Sequence, residues 1–460
     1  MALSYVMTAS WGAAQPAAHH LLNIAIHAGN GLLVMGIART GAGLSRMAAA
    51  FAAVVFVLLP VHAESVAWIT GRVDSMPTLF YLAAFLAYAR WREGRPGAYA
   101  WSLTWFFVAL FSKQNTITLP AALIAYDLVR LRRMPRPSWS WARPYVPFVV
   151  MTCGFLALRY VVVGTVVREN QLNVTELRGF LDVVIHHTQR TVFGHLSAVK
   201  PIEWALAGIL AAVSVLAFVR LDPAERRSLG SAAIFFGLVW WILGVAPVVV
   251  AGYESPRHVY LAAVAWAMVL GLSVQMLASG AGAARKYAAV ATAAVIVAAY
   301  SVQLFAVVGG WNVSAAISKT AVARLELEAL ATPPGSLVIV GVPISSWEWA
   351  APFMAQPPYT RTDLTQRVYI VTPWRLHCCR GQWLAHTRRT LEEWNARRPP
   401  TPIVALAFDP RTGAVSRLTD AEYPGLRTLV PALREIDSLE ALDRSLLRML
   451  DQLVTRQLPR

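Results

Sequence analysis

The chain has 460 residues, of which 57% are hydrophobic and 14% charged, with a mean hydropathy of +0.49. Soluble proteins carry about 25% charged residues, and a soluble domain of this length lacks the interior to hide so much apolar surface. These figures exclude disorder, a collagenous rod and a disulfide-rich secreted module, and they identify an integral membrane protein. A net charge of +16 is common to nucleic-acid binders, but its distribution here points elsewhere. Residues 1–310 hold 23 Lys and Arg against 11 Asp and Glu, and residues 311–460 hold 18 against 14. The excess lies in short clusters between apolar runs, where basic residues set topology and meet lipid headgroups.

Crossing a hydrocarbon core of ~30 Å takes roughly 20 apolar residues, fewer where neighbouring helices bury the segment. Ten runs qualify as spans: about 18–38, 47–61, 75–90, 98–112, 116–131, 145–163, 203–220, 231–251, 258–279 and 287–309. Basic clusters occupy every second connection, beginning with Arg39 and Arg46 and ending with Arg285 and Lys286. Fifteen basic residues fall on that side against eight on the other, which the positive-inside rule assigns to the cytoplasm. Met1 is thereby placed outside, and a further span upstream of it is expected.

Four segments concentrate chemistry on the non-cytoplasmic side. The first span carries His20, Asn23, His27 and Asn30 at spacings of three, four and three, one helical face. In lipid such a stripe must face partners within the bundle. It suits interhelical hydrogen bonding, or a ligand role for the histidines. The next outer loop places His62, Glu64, Arg72 and Asp74 within a few residues of one another, with Trp68 as interface anchor. An acid, a base and a cation together suit proton transfer or a phosphate clamp. Lys113, followed by Gln114, stands between two apolar runs on the side where a topology signal is not needed, so it requires an anion. The turn Tyr253-Glu-Ser-Pro-Arg-His-Val-Tyr260 supplies Glu254, Arg257, His258 and Tyr260, and Arg257 can hold a phosphate bidentately. Together they predict one outward-facing cavity suited to a lipid-linked phosphate donor.

Past Val308 the composition changes. Ser336–Val342, Arg367–Thr372 and Pro402–Phe408 read as strands. The last leads through a turn at Asp409–Gly413 into a strand at Ala414–Leu418. Asp437–Leu453 reads as an amphipathic helix with leucines on one face. The expected organisation is a mainly α membrane bundle over 1–310 and a small extracytoplasmic α/β domain over 311–460. The three cysteines, Cys153 and the adjacent Cys378-Cys379, offer no disulfide framework or zinc spacing, and His186, His187 and His195 lack the spacing of a metal site. Asn173-Val-Thr175 and Asn312-Val-Ser314 match the glycosylation pattern at chance frequency.

The run Pro60 to Asp74 resembles the second-luminal-loop signature of the transmembrane and tetratricopeptide-repeat O-mannosyltransferases and their bacterial relatives. His20–His27 is similar to that family's second membrane helix. Leu110–Gln114 with Thr118–Ala121 and Tyr126–Leu128 resembles its Ser-Lys-Glu segment, and Ser255–Leu261 its Glu-Arg-Tyr-Leu-Tyr turn. The ordered match covers about residues 15–280. It implies a GT-C-type fold and transfer of a sugar from a polyprenyl-phosphate carrier to a protein or glycan acceptor outside the cytoplasm, with a divalent metal left open as cofactor. It further implies that Lys113, Arg257 and His258 hold the donor phosphate. His62, Glu64 and Asp74 would serve catalysis, with His20, His27, Arg72, Gln114, Glu254 and Tyr260 lining the pocket. In this family the first outer loop carries the catalytic acid, and no Asp or Glu precedes Glu64 here. Gln114 stands where the family has Glu, and the repeats are absent. The competing readings are an inactive relative serving as an envelope assembly scaffold and a lipid-linked glycan translocator. The polar positions cluster at the outer surface without an inverted repeat, which disfavours the translocator. The localisation expected is a bacterial inner membrane, with no role in nucleic-acid binding.

Overall fold

The computed structural model describes residues 2–12, 16–132, 139–166, 177–194, 201–251, 255–279, 282–341, 354–357, 359–372, 380–408, 415–423, 425–435, 438, 441 and 444. It divides into two compact units, Met1–Val308 and Gly309–Arg460.

The first unit is helical. A short helix, α1 (Ala2–Gly12), precedes α2 (Pro16–Thr40) and α3 (Arg46–Leu58). Gly43 at φ +73° makes the turn between α2 and α3, and the Ser45 side chain caps α3 by accepting from the amide of Ala48. Pro60 then ends the run. A 3-10 turn Pro60–His62, the one-turn α4 (Ala63–Ala67) and a second 3-10 turn Ile69–Gly71 lead into α5 (Arg72–Arg92). The following helices are α6 (Ala98–Ser112), α7 (Leu119–Ala125) with its π-helical extension Tyr126–Arg130, α8 (Trp139–Ala142), α9 (Val146–Val163) and α10 (Leu177–Phe193). After them come α11 (Pro201–Val219), α12 (Pro223–Ala232), a π-helical stretch Ala233–Val239, α13 (Trp240–Val250), α14 (Ala263–Ala278) and α15 (Ala283–Ala331), whose residues from Gly309 onward belong to the second unit. Asp222 starts α12 by accepting from the amides of Ala224 and Glu225, with Pro223 in the first helical position.

Among the described residues, five helices are long and apolar enough to cross a membrane: Pro16–Thr40, Val146–Val163, Pro201–Val219, Pro223–Val250 and Ala283–Ala331. Arg46–Leu58 with Pro60–Ala67, bent by 49°, makes a sixth if the pair counts as one span. The protein is therefore a multi-pass membrane protein. Of the ten expected spans, these five or six meet the criteria of length and apolarity by themselves. Helices Ala98–Ser112 and Ala263–Ala278 are apolar but have 15 and 16 residues, short of the roughly 20 a full crossing takes. Arg72–Arg92 is more polar, with Asp74 and Arg90 inside it, and the 119–130 segment changes helical type midway. The core of this unit is aromatic and dense, with Phe85, Tyr126, Phe235, Phe236 and Trp240 in edge and stacked contacts.

The second unit holds a four-stranded sheet in the order β2-β1-β3-β4, built from β1 (Leu337–Gly341), β2 (Tyr369–Val371), β3 (Ile403–Phe408) and β4 (Val415–Thr419). β1 runs parallel to β2 and β3, and β4 closes antiparallel on β3 with Leu406 opposite Arg417. β1 is buried throughout, as a continuous Leu-Val-Ile-Val run requires when both sheet faces are covered. Leu325 and Ala329 pack on the sheet together with Leu391 and Trp394 of α16 (Arg380–Ala396) and Leu426 and Val430 of α17 (Gly425–Arg434). The strand readings coincide with the observed strands to within a few residues. Helices α16 and α17 were not foreseen, and the expected helix at Asp437–Leu453 lies almost wholly outside the described residues, as do the 409–413 turn and Cys378-Cys379.

Candidate functional site

Three breaks in helical structure supply the polar side chains gathered at one end of the first unit. Lys113 has extended backbone (φ −160°, ψ 139°) between α6 and the 3-10 turn Gln114–Thr118, so its side chain leaves from a gap between helices. The Pro60–Gly71 segment folds back on itself. Its tightest point is Gly71, where a Cβ would stand 2.3 Å from the backbone oxygen of Glu64. Pro256 initiates the 3-10 turn Pro256–Val259 that carries Arg257 and His258.

Around the Asp74 carboxylate, 2% exposed, three basic groups from two distant segments meet. Lys113 Nζ pairs with Oδ1, His258 Nδ1 lies 3.5 Å from the same oxygen, and Arg257 Nε lies 3.3 Å from Oδ2. Lys113 Nζ is also 3.4 Å from His258 Nδ1. Beside this group Arg257 Nη1 donates to Glu64 Oε1 at 2.5 Å, and its backbone amide lies 3.4 Å from Oε2. Ser255 Oγ reaches both Glu64 oxygens, at 2.7 and 2.6 Å. The Arg257 guanidinium also lies over the Trp68 ring at 5.0 Å. Arg257 thereby bridges Glu64 and Asp74, and Lys113 shares Asp74 with it. Alternating charges at this spacing hold two cations in fixed positions while the carboxylates offset the cost of burying them.

Below the charges lies an aromatic and imidazole cluster. His27 Nε2 faces the carbonyl of Val57 at 3.0 Å, and its Nδ1 lies 2.5 Å from Tyr260 Oη. A carbonyl only accepts, so the hydrogen sits on Nε2, and Nδ1 accepts from the phenol. Asn30 Nδ2 donates to Tyr260 Oη at 3.2 Å and to the Ser75 carbonyl at 2.9 Å. His62 Nδ1 faces the Phe56 carbonyl at 2.8 Å, and the His62 ring lies 4.2 Å from that of Tyr260 and 5.3 Å from that of His27. The polar stripe of α2 is thus divided by role. Asn23 ties down the loop through the carbonyls of Val66, Trp68 and Ile69, Asn30 fixes the start of α5, and His27 holds Tyr260.

The remaining predicted residues fall elsewhere. Arg72 is fully buried but turns toward α1, stacking over Tyr5 at 4.4 Å and donating to the Ser4 carbonyl at 3.3 Å. Its partner on α2 is His19, whose Nδ1 is 3.1 Å away, and not His20, which is half-buried on a neighbouring face. Tyr5, half-buried beneath that guanidinium, has its phenol pushed up to about 12 by desolvation and donates to the Thr70 carbonyl at 3.0 Å. Gln114 is half-buried directly after Lys113, and Glu254 lies outside the described residues. Sequence reasoning passed over Ser255, whose signal was its place before Pro256, and His19, whose signal was its adjacency to the chosen His20.

The protein O-mannosyl-transferase TMTC3 of Mus musculus is 30% identical over 119 residues, 25% of this chain and 13% of that protein. TMTC4 of Homo sapiens is 30% identical over 138 residues, 26% of this chain and 19% of its own length. Tmtc1 of Drosophila melanogaster is 33% identical over 117 residues, 25% and 14% respectively. The matched part is thus less than a fifth of each of these relatives. No protein-family model and no solved structure matches the chain. Over about a quarter of its length, this multi-pass membrane protein resembles the TMTC protein O-mannosyl-transferases.

Proposed function

We propose that the protein is a membrane glycosyltransferase that moves a sugar from a polyprenyl-phosphate carrier to an acceptor on the non-cytoplasmic side. The observation that carries this reading is the meeting of Lys113, Arg257 and His258 with Glu64 and Asp74, drawn from separate segments onto one end of the helical unit. Two cations held at a helix-bundle end suit a phosphate whose lipid tail lies alongside the bundle. In this scheme all ten helical segments cross the membrane, the shorter ones shielded by neighbours, and the second unit is an extracytoplasmic domain of a bacterial inner-membrane protein.

Chemically, an acceptor hydroxyl attacks the anomeric carbon, the bond from that carbon to the carrier phosphate oxygen breaks, and the hydroxyl proton passes to a carboxylate. Glu64 is the proton acceptor in this reading, because its side chain is 16% exposed against 2% for Asp74. Lys113 and Arg257 stabilise the charge growing on the departing phosphate. Asp74 positions both cations. His62, 1% exposed, acts as a positioning residue on the Tyr260 turn.

The deciding experiment reconstitutes the full-length protein with defined polyprenyl-phosphate sugars and scores transfer to peptide and glycan acceptors. Transfer by the wild type and its loss in Arg257→Ala and Lys113→Ala, in protein that still elutes as the folded species, supports the proposal. Unchanged transfer in both variants removes the assigned roles. No transfer from any polyprenyl-phosphate hexose favours the scaffold reading, for which the replacement of the family's Glu by Gln114 speaks.

A further inference from the structure

At the far end of the long helix Pro223–Val250 from Arg257, a second set of charges surrounds a cavity of about 350 Å³. A helix of 28 residues is about 42 Å long, so this cavity and the Arg257 cluster sit at opposite membrane surfaces. Its lining combines aliphatic side chains, Leu216 and Met276 among them, with four charged ones, Arg220, Arg285, Asp222 and Glu225. Leu216 is exposed on α11, a helix long and apolar enough to cross a membrane, so in a bilayer the cavity would open beside acyl chains.

The four charges do not close on each other. Among the described residues no ion pair joins them, the Arg220 guanidinium has no hydrogen-bond partner, and Arg285 reaches only the Ser279 carbonyl, at 3.3 Å. Asp222 is committed to the amides of Ala224 and Glu225, at 2.8 and 2.9 Å, whereas the Glu225 carboxylate has no such engagement. Opposite charges held apart around a cavity with an aliphatic wall match a ligand that carries both signs and an acyl chain. Two arginines suit a phosphodiester. A carboxylate in the same lining suits an ammonium and repels a purely anionic headgroup.

We infer that this cavity binds the headgroup of a zwitterionic phospholipid with a primary ammonium, its phosphate between Arg220 and Arg285 and its ammonium at Glu225. The site would anchor α11, α14 and α15 to the leaflet opposite the Arg257 cluster. Its volume falls within the range of small-ligand sites.

The test is native mass spectrometry of the delipidated full-length protein titrated with dioleoyl phosphatidylethanolamine, phosphatidylglycerol, phosphatidylcholine and inorganic phosphate. The expected result is one phosphatidylethanolamine retained about tenfold more tightly than the other lipids, the size of one charge-assisted contact, and no retention of phosphate alone. Binding should fall in the double variant Arg220→Gln, Arg285→Gln. Glu225→Gln should erase the preference over phosphatidylglycerol while retaining binding. Ala217→Trp, which fills the cavity without altering charge, should also abolish retention. Equal or tighter phosphatidylglycerol binding, retention of phosphate alone, or wild-type binding in the double variant would overturn the inference.

Discussion

Lys113 closes onto Asp74 across 39 positions of sequence, and the carboxylate it meets is almost wholly buried. The same carboxylate faces Arg257 and His258, so one acid organises cations from two remote segments. Asp74→Asn leaves Lys113 and Arg257 short of a counter-charge in a buried setting. Breaking a buried pair from one side costs about 3–5 kcal/mol. The variant should therefore melt at a clearly lower temperature in detergent than Lys113→Ala, which leaves Asp74 two other partners. Equal melting temperatures for the two would contradict the organising role.

Gly71 lets the Glu64 turn close. A methyl there would overlap the backbone oxygen of Glu64 and approach the Ser65 Cα to 2.8 Å, and backbone cannot move aside as a flexible side chain can. Gly71→Ala should displace Glu64 from Arg257 and lower transfer about tenfold or more, a loss of at least one charge-assisted hydrogen bond. Transfer assays beside a melt measure it; a variant with full activity would show that the turn tolerates a Cβ.

Tyr260 joins two polar partners, His27 and Asn30. In Tyr260→Phe the buried Nδ1 of His27 loses its donor, at a cost of about 1–3 kcal/mol. The same loss should appear in His27→Ala, and the double variant should cost less than the sum because the two act through one bond. A double-mutant thermal series in detergent tests this, and strict additivity would argue against the coupling.

Asp127 forms a second buried acid site at another level of the bundle. It pairs with Arg92 and accepts from Tyr88 Oη at 2.8 Å and Tyr145 Oη at 2.6 Å. Asp127→Ala strands the Arg92 charge, with an expected destabilisation of about 3–5 kcal/mol. The folded fraction should keep its transfer rate per molecule, since no residue of this cluster touches the Arg257 group among the described contacts. A large drop in rate at unchanged folded fraction would instead tie Asp127 to the chemistry.

Much of this protein was written in the one-dimensional pattern. Apolar runs marked the helices because helices satisfy their own backbone in lipid, and the β-branched runs at 337–341 and 403–408 marked the strands of the second unit. The spacing of Asn23, His27 and Asn30 placed them on one face, since the helical period fixes direction regardless of neighbours. Pattern could not say which of two adjacent histidines met Arg72. His19 and His20 differ by about 100° around the helix, and only the packing of α1 against α2 and α5 selects between them. Nor could it assign partners to charges. That Arg257 bridges Glu64 and Asp74 while Lys113 shares Asp74 follows from how three helix breaks come to one level, and ion pairing depends on distance in space, which chain order does not encode.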